Sequence, residues 1–190
     1  NIFIKRDDLI PAYFGGNKYR IAKEFISDLK NQGKNCIIGY GNSRSNLSRA
    51  LSAQAFKENI PCYLISPADD NGEIQDTFNS KLCALTNAKI VYCDKQNVAE
   101  TVENTMLSCK QVGLKPYYIN GDKFGKSNEN VPVRAYVKVY KQIIEEQNFD
   151  YIFIPTGTGM TQAGLIAGSI LYGGETKIVG ISIAREKQNE

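Results

Sequence analysis

Short apolar runs alternate with stretches of helical periodicity along most of this chain, and that alternation restricts its fold more than any other feature. The apolar runs at 36–38, 62–65, 89–93, 117–119, 151–154 and 178–183 read as strands. Between them, apolar residues recur at helical spacing over 18–29, 46–57, 74–85, 98–112, 133–146 and 161–171. Strands separated by helices of about 10–15 residues join as βαβ units around a parallel sheet. The strands are unbroken apolar runs, so helices are expected on both of their faces. The chain is therefore α/β, built of parallel-sheet, three-layer α/β/α units. Helical spacing turns Ile21, Ala22, Phe25, Ile26 and Leu29 inward in the first helix, Phe78, Leu82 and Leu85 in the third, and Tyr136, Val137, Tyr140 and Ile144 in the fifth. Ahead of all of these, Ile2-Phe3-Ile4 reads as a strand that leaves the core into the charged cluster Lys5-Arg6-Asp7-Asp8. The polar, glycine-containing stretch 120–130 is the expected domain boundary.

Charge and residue usage then remove whole classes of function. The 190 residues carry a formal charge of +3 with no basic block, so there is no nucleic-acid footprint. No apolar run approaches the roughly 18 residues of a membrane span. The chain has no histidine, which excludes Ser/His and Cys/His nucleophile pairs and most catalytic zinc sites. No metal is expected. An acid–base group must then be Lys, Tyr, Asp, Glu or a cofactor. The five cysteines form no C-x-x-C pair and most lie in apolar runs, as do reduced core thiols in a cytoplasmic protein. The chain begins at Asn1 rather than Met and stops soon after a strand, so the expectation is a sequence incomplete at both ends.

Three loops carry residues that a plain turn does not need, and ligands of open α/β sheets bind beyond the carboxyl ends of strands. The first loop is Gly15-Gly16-Asn17-Lys18-Tyr19-Arg20. Two glycines allow a sharp bend, Asn17 suits an N-cap, and Lys18 then falls in the first helical turn. The positive end of the helix dipole disfavours an ammonium there and so favours the free amine of a Schiff-base nucleophile. The second loop, 39–46, offers Asn42, Ser43, Arg44, Ser45 and Asn46 at the end of a strand, with Ser45 or Asn46 as helix cap. In the third, Gly157-Thr158-Gly159-Met160-Thr161 follows a strand and opens a helix. Backbone N–H groups of such a turn form an anion site, to which Thr158 and Thr161 add hydroxyls.

A nicotinamide cofactor accounts for part of this pattern. Gly157 and Gly159 begin a dinucleotide fingerprint, but Gln162 stands where its third glycine belongs, and no Walker A ending is present. Glu186 and Arg185 after the next strand keep an NAD(P)-dependent oxidoreductase as the alternative. That reading leaves the first two loops without a task. Pyridoxal 5'-phosphate gives each loop one: an aldehyde for a lysine, a phenolic oxygen for a side-chain amide, and a phosphate for a glycine-rich helix start.

The motifs also come in a recognisable order. Lys5-Arg6-Asp7-Asp8-Leu9, Gly15-Gly16-Asn17-Lys18-x-Arg20, Ser45-Asn46-x-x-Arg49 and Thr158-Gly159-Met160-Thr161-Gln162-Ala163-Gly164 resemble the D-cysteine desulfhydrase and 1-aminocyclopropane-1-carboxylate deaminase family. These are pyridoxal-phosphate enzymes of the tryptophan-synthase-β-like fold type II, and the resemblance runs over residues 4–183. It implies two domains, with 1–34 and 121–190 in the larger, cofactor-binding one and 35–120 in a smaller α/β domain. It implies that Lys18 is the Schiff-base lysine and the base for the substrate α-proton, with Asn17 beside it among the cofactor-binding residues. Asn46 meets the phenolic oxygen, Ser45 the substrate carboxylate, and Gly157, Thr158, Gly159, Met160 and Thr161 the phosphate. The implied reaction releases a β-leaving group such as a thiol, or opens a cyclopropane ring, and yields a 2-oxo acid and ammonia from a small amino acid. A homodimer is the family habit. Two departures stand out: Arg44 occupies a place where the family commonly has Gln, and Asn120-Gly121-Asp122 replaces a Gly-Gly-Ser type segment. A guanidinium at 44 favours a more acidic substrate or a different position of the substrate carboxylate. The family's cofactor-facing tyrosine and its partner for the pyridine nitrogen belong to a C-terminal region not seen in this sequence, so a non-catalytic pyridoxal-phosphate-binding relative is the further alternative.

Overall fold

The structure, a computed structural model, describes residues 1–10, 15–68, 76–121 and 128–183. The chain divides into two compact units, Asn1–Asn128 and Glu129–Glu190, and the division falls inside the polar stretch 120–130. The first unit holds α1 (Asn17–Asn31), β1 (Cys36–Tyr40), α2 (Asn46–Lys57), β2 (Cys62–Pro67), α3 (Phe78–Ala84), β3 (Lys89–Cys93), α4 (Val98–Gln111) and β4 (Pro116–Tyr118). The second holds α5 (Asn130–Glu146), β5 (Tyr151–Thr156), α6 (Met160–Tyr172) and β6 (Lys177–Ser182). The expected α/β alternation is present, and α2 and β3 have the bounds their periodicity predicts.

The four strands of the first unit are parallel, in the order β3-β2-β1-β4. Ile38 pairs with Tyr63 on one side and Tyr118 on the other, so β1 is central. Side chains alternate across the sheet and two helical layers take one face each. Ile38 and Ile65 point to α4, where they meet Val102, with Met106 packed alongside. On the opposite face a Cβ at Gly39 would come within 2.8 Å of both Leu51 in α2 and Leu64 in β2, so the helix sits directly on the strand. The apolar stripe of α1 is the expected one: Ile21, Ala22, Phe25, Ile26 and Leu29 are all buried.

The structure corrects several expectations in this region. Ile2-Phe3-Ile4 is not a strand, and all three side chains are exposed, because no neighbouring strand among the described residues takes up their backbone groups. A 3-10 turn at Asp7–Leu9 follows instead. The third helix starts at Phe78, and residues 74 and 75 lie outside the described residues. Its phase is set by a capping box in which Thr77 Oγ1 accepts from Ser80 N at 3.2 Å and Thr77 N donates to Ser80 Oγ at 2.9 Å. That phase buries Cys83 and leaves Phe78 and Leu85 exposed.

In the second unit β5 and β6 pair in parallel, from Tyr151 opposite Lys177 to Thr156 opposite Ser182. Helix α5 buries Val131, Ala135, Tyr136, Val139 and Tyr140, so the expected Tyr136 and Tyr140 lie in its stripe while the expected Val137 and Ile144 are half-buried. It packs closely on α6. A Cβ at Gly164 would collide with Tyr136 Cβ and Val133 O. Tyr151, Phe153 and Ile181 are exposed, so among the described residues the expected cover on both faces is not present over this pair of strands.

Candidate active site

Lys18 owes its place to the turn ahead of it. Gly15 and Gly16 have φ of +60° and +88°, a conformation open to glycine. Gly16 N donates to Asp7 O at 2.8 Å, and a Cβ at Gly15 would collide with Asp8 O. Arg20 then grips Asp7 with two bonds, Nε to Oδ2 at 3.0 Å and Nη2 to Oδ1 at 2.9 Å. The charged cluster expected to enter a loop is therefore strapped onto α1. Gly16 is the N-cap and makes no side-chain cap bond, which corrects the expectation for Asn17: it is the first helical residue and not the cap. Lys18 is second. Its pKa is lowered, and the cause is burial of the ammonium. The helix dipole acts in the same direction.

The second loop lies where the topology reverses. From β1 the chain builds outward through β2 and β3, then crosses to place β4 on the other side of β1. The carboxyl ends of β1 and β4 thus flank a switch point, the usual ligand crevice of an open parallel sheet. Loop 41–45 leaves β1 at that point. Ser45 is the N-cap of α2, its Oγ accepting from Ser48 N at 3.1 Å, which decides between the two expected caps. Asn46 is the first helical residue and exposed. Helix α1 enters β1 through residues 32–35 and α2 leaves it through 41–45, so both helices begin on the carboxyl side of the sheet. They pack against each other. Lys18, Ser45 and Asn46 are thereby placed on one side of the first unit. Tyr118 ends β4 at the same switch point, and burial raises its pKa, so its phenol keeps its proton.

The loop is braced from a direction that the sequence reading missed. Thr77 Oγ1 donates to Ser43 O, and Asn79 Nδ2 donates to Arg44 O at 2.8 Å and to Asn46 Oδ1 at 3.1 Å. The spacing of Thr77 and Ser80 marks a capping box, but nothing local links it to a loop 34 residues earlier. Behind the loop, the hydroxyls of Ser43 and Ser48 are buried with no hydrogen-bond partner among the described residues. They line a depression together with Gly41, Ser45, Ser66 and Tyr92.

The third loop belongs to the second unit. Gly159 is the N-cap of α6 in a left-handed conformation, φ +76°, with no side-chain cap bond. No side chain caps the first N–H groups of α6, a helix start of the kind that suits an anion. Thr161 is buried and Thr158 exposed. Gln162, which breaks the dinucleotide fingerprint, packs over Gly180 of β6, where a Cβ would collide with its Oε1. Arg185 and Glu186 lie outside the described residues.

The residues present fit pyridoxal phosphate on observations of this molecule. In the first unit a lysine is held with its ammonium disfavoured and an asparagine and a serine open a helix at the switch point; in the second, a helix start is capped by glycine with no side-chain cap bond.

Comparison with known proteins bears on the same point. A family described as "Pyridoxal-phosphate dependent enzyme" matches residues 1–188. The D-cysteine desulfhydrase of Serratia proteamaculans is 28% identical over 97% of this chain and 58% of its own length. The 1-aminocyclopropane-1-carboxylate deaminase of Burkholderia ambifaria is 27% identical over 95% of the chain and 56% of its own length. A solved "ACC deaminase homologue" superposes with a TM-score of 0.79 at 25% identity, covering 95% of this chain and 55% of that one. A pyridoxal 5'-phosphate-dependent aspartate racemase shares the fold, with a TM-score of 0.66 at 15% identity. The chain thus spans a little over half the length of these relatives. The match favours the pyridoxal-phosphate reading over the nicotinamide one. Among the described residues no helix is long and apolar enough to cross a membrane.

Proposed function

This chain belongs to the pyridoxal-phosphate dependent enzyme family, and we propose on that premise that it forms the catalytic-lysine part of a lyase or deaminase acting on a small amino acid. The products are a 2-oxo acid and ammonia, by β-elimination of the kind carried out by the D-cysteine desulfhydrases it resembles, or by the ring-opening deamination of the 1-aminocyclopropane-1-carboxylate deaminases. The observation that carries the reading is Lys18: the second residue of a helix, behind a strapped Gly-Gly bend, with burial lowering its pKa.

When bound, pyridoxal phosphate supplies an aldehyde that an amine can bond and a ring that draws off the charge left at the substrate α-carbon. The chain's own residues do the rest. Lys18 Nζ would be the amine that holds the aldehyde, and as a free amine it would be the base for the substrate α-proton. Burial keeps that amine available nearer neutral pH than an exposed lysine allows. Asn17 flanks the cofactor. Asn46 meets the phenolic oxygen through its side-chain amide. Ser45 and the first N–H groups of α2 hold the substrate carboxylate. Gly157, Thr158, Gly159, Met160 and Thr161 take the phosphate at the start of α6, where a negative group gains from the dipole. Arg44 adds a positive charge next to Ser45 and favours substrates with a second acidic group. Residues 1–34 and 121–190 contribute to the larger domain of the whole enzyme and 35–120 to the smaller one. The enzyme is a cytoplasmic homodimer.

The test is an absorption spectrum of the protein with pyridoxal phosphate, before and after borohydride, with Lys18→Ala as control. A visible band that borohydride abolishes and Lys18→Ala lacks supports the assignment. A band that survives Lys18→Ala refutes it. Release of a 2-oxo acid and ammonia over a panel of D- and L-amino acids and 1-aminocyclopropane-1-carboxylate then identifies the substrate; loading without turnover of any of them refutes the lyase reading and leaves a binding protein.

A further inference from the structure

We propose that Asn79 is a positioning residue that fixes the side-chain amide of Asn46, so that Asn46 presents its N–H donors, and not its oxygen, to the cofactor's phenolic oxygen. The proposal rests on the assignment of Asn46 to that oxygen made above.

The direction of each bond follows from what the atoms can do. A backbone carbonyl only accepts, so the Asn79 atom 2.8 Å from Arg44 O is its amide nitrogen. That nitrogen carries a second hydrogen. The Asn46 atom 3.1 Å from it must then be an acceptor, which makes it Oδ1. Asn46 Nδ2 is thereby turned away from α3. An exposed asparagine has no such preference of its own, since rotation about its last torsion exchanges oxygen for nitrogen at little cost. Asn79 itself is well held. It is the second residue of α3, whose capping box at Thr77 and Ser80 fixes the first turn, and the Thr77 hydroxyl ties that turn to Ser43 O. Among the described residues two anchors thus join α3 to the loop, and one of them, Asn79, reaches a side chain assigned to the cofactor.

The consequence is electrostatic. A phenolate that receives an N–H bond holds less negative charge. It then binds less tightly the proton it shares with Lys18 Nζ. If Asn46 turns its oxygen to the phenolate instead, that proton persists to higher pH. The pH midpoint of the visible band reads this directly and needs no turnover.

The experiment titrates the visible band of the loaded protein for wild type, Asn79→Asp, Asn79→Ala, Asn46→Ala and both double variants. Asn79→Asp keeps the shape but gives up the donor, so Asn46 reverses. The midpoint should rise by about one pH unit, the scale of one hydrogen bond to a charged group. Asn79→Ala adds no charge and should move it less, in the same direction. In the Asn46→Ala background neither change at 79 should shift the midpoint further. A shift of equal size in both backgrounds overturns the proposal, because it would come from charge or from α3 and not from Asn46. So does a midpoint indifferent to both substitutions at 79. A wild-type protein with no Lys18-dependent band overturns the cofactor assignment itself, and the proposal falls with it.

Discussion

The two units use one motif, a strand that runs through a short loop into a helix, and finish it in opposite ways. In the first, β1 is buried and its loop closes on a side-chain cap, Ser45, with Asn46 next in line. In the second, β5 alternates between exposed and half-buried, and its loop closes on Gly159 with no side chain in the cap. A serine cap consumes one free N–H and leaves side chains at the helix start. A glycine cap leaves the N–H groups themselves for a ligand. On the proposed reading the first end meets neutral and carboxylate groups and the second a phosphate. The sheets differ in the same sense. Central strands β1 and β2 are covered on both faces, as parallel strands normally are, whereas Tyr151, Phe153 and Ile181 face outward.

This difference in burial can be broken first at the cores. Leu51→Ala, at a fully buried side chain, should lower stability by about 2–5 kcal/mol in urea unfolding. Phe153→Ala, at a side chain 66% exposed, should change it by no more than about 0.5 kcal/mol. Equal losses would mean that β5 is covered after all. The next effect tests what holds the second unit in place of a sheet core. Gly164→Ala forces a Cβ onto Tyr136 and Val133 and should cost about 1–3 kcal/mol, with a lowered Tm. No loss would mean that α5 and α6 separate easily. The caps come third. Ser45→Ala should cost about 1 kcal/mol, measured by thermal melting without cofactor. Thr158→Ala, which removes no cap bond, should cost less.

The smallest change concerns Lys18 and runs in the opposite direction, towards stability. Burial lowers its pKa in the folded state, so the folded protein binds that proton less readily than the unfolded chain. Stability then rises with pH, from the lowered folded value up to the ordinary lysine value of 10.5. Lys18→Met removes the penalty of burying an ammonium. Without cofactor the variant should be more stable than its parent at neutral pH, and the gain should shrink as pH climbs towards 10.5. Urea midpoints at about pH 7 and about pH 10 separate this from packing, which would give the same gain at both.

Several site residues were legible because their signals are local. Gly15, Gly16 and Lys18 announce a bend and a helix start, and Ser45 announces a cap. Gly159 does the same for α6. Asn17 lies one position inside the helix because Gly16 takes the cap without a side chain. The phase of α3 departs from its apolar spacing because the capping box at Thr77 and Ser80 fixes the first turn. Asn79, Thr77 and the Asp7–Arg20 grip left no trace in periodicity, since each joins segments far apart in the chain.

The amino-acid order by itself determined the alternation of strands and helices, the inward stripe of α1 and the places where helices start. Each of these is decided by neighbours within a turn or two, where spacing, capping and glycine freedom act. Only the tertiary structure decided that β4 crosses to the far side of β1 and that α3 braces the Ser45–Asn46 loop. Those outcomes depend on which distant surfaces meet, and a short stretch of sequence carries no record of the partner it will find.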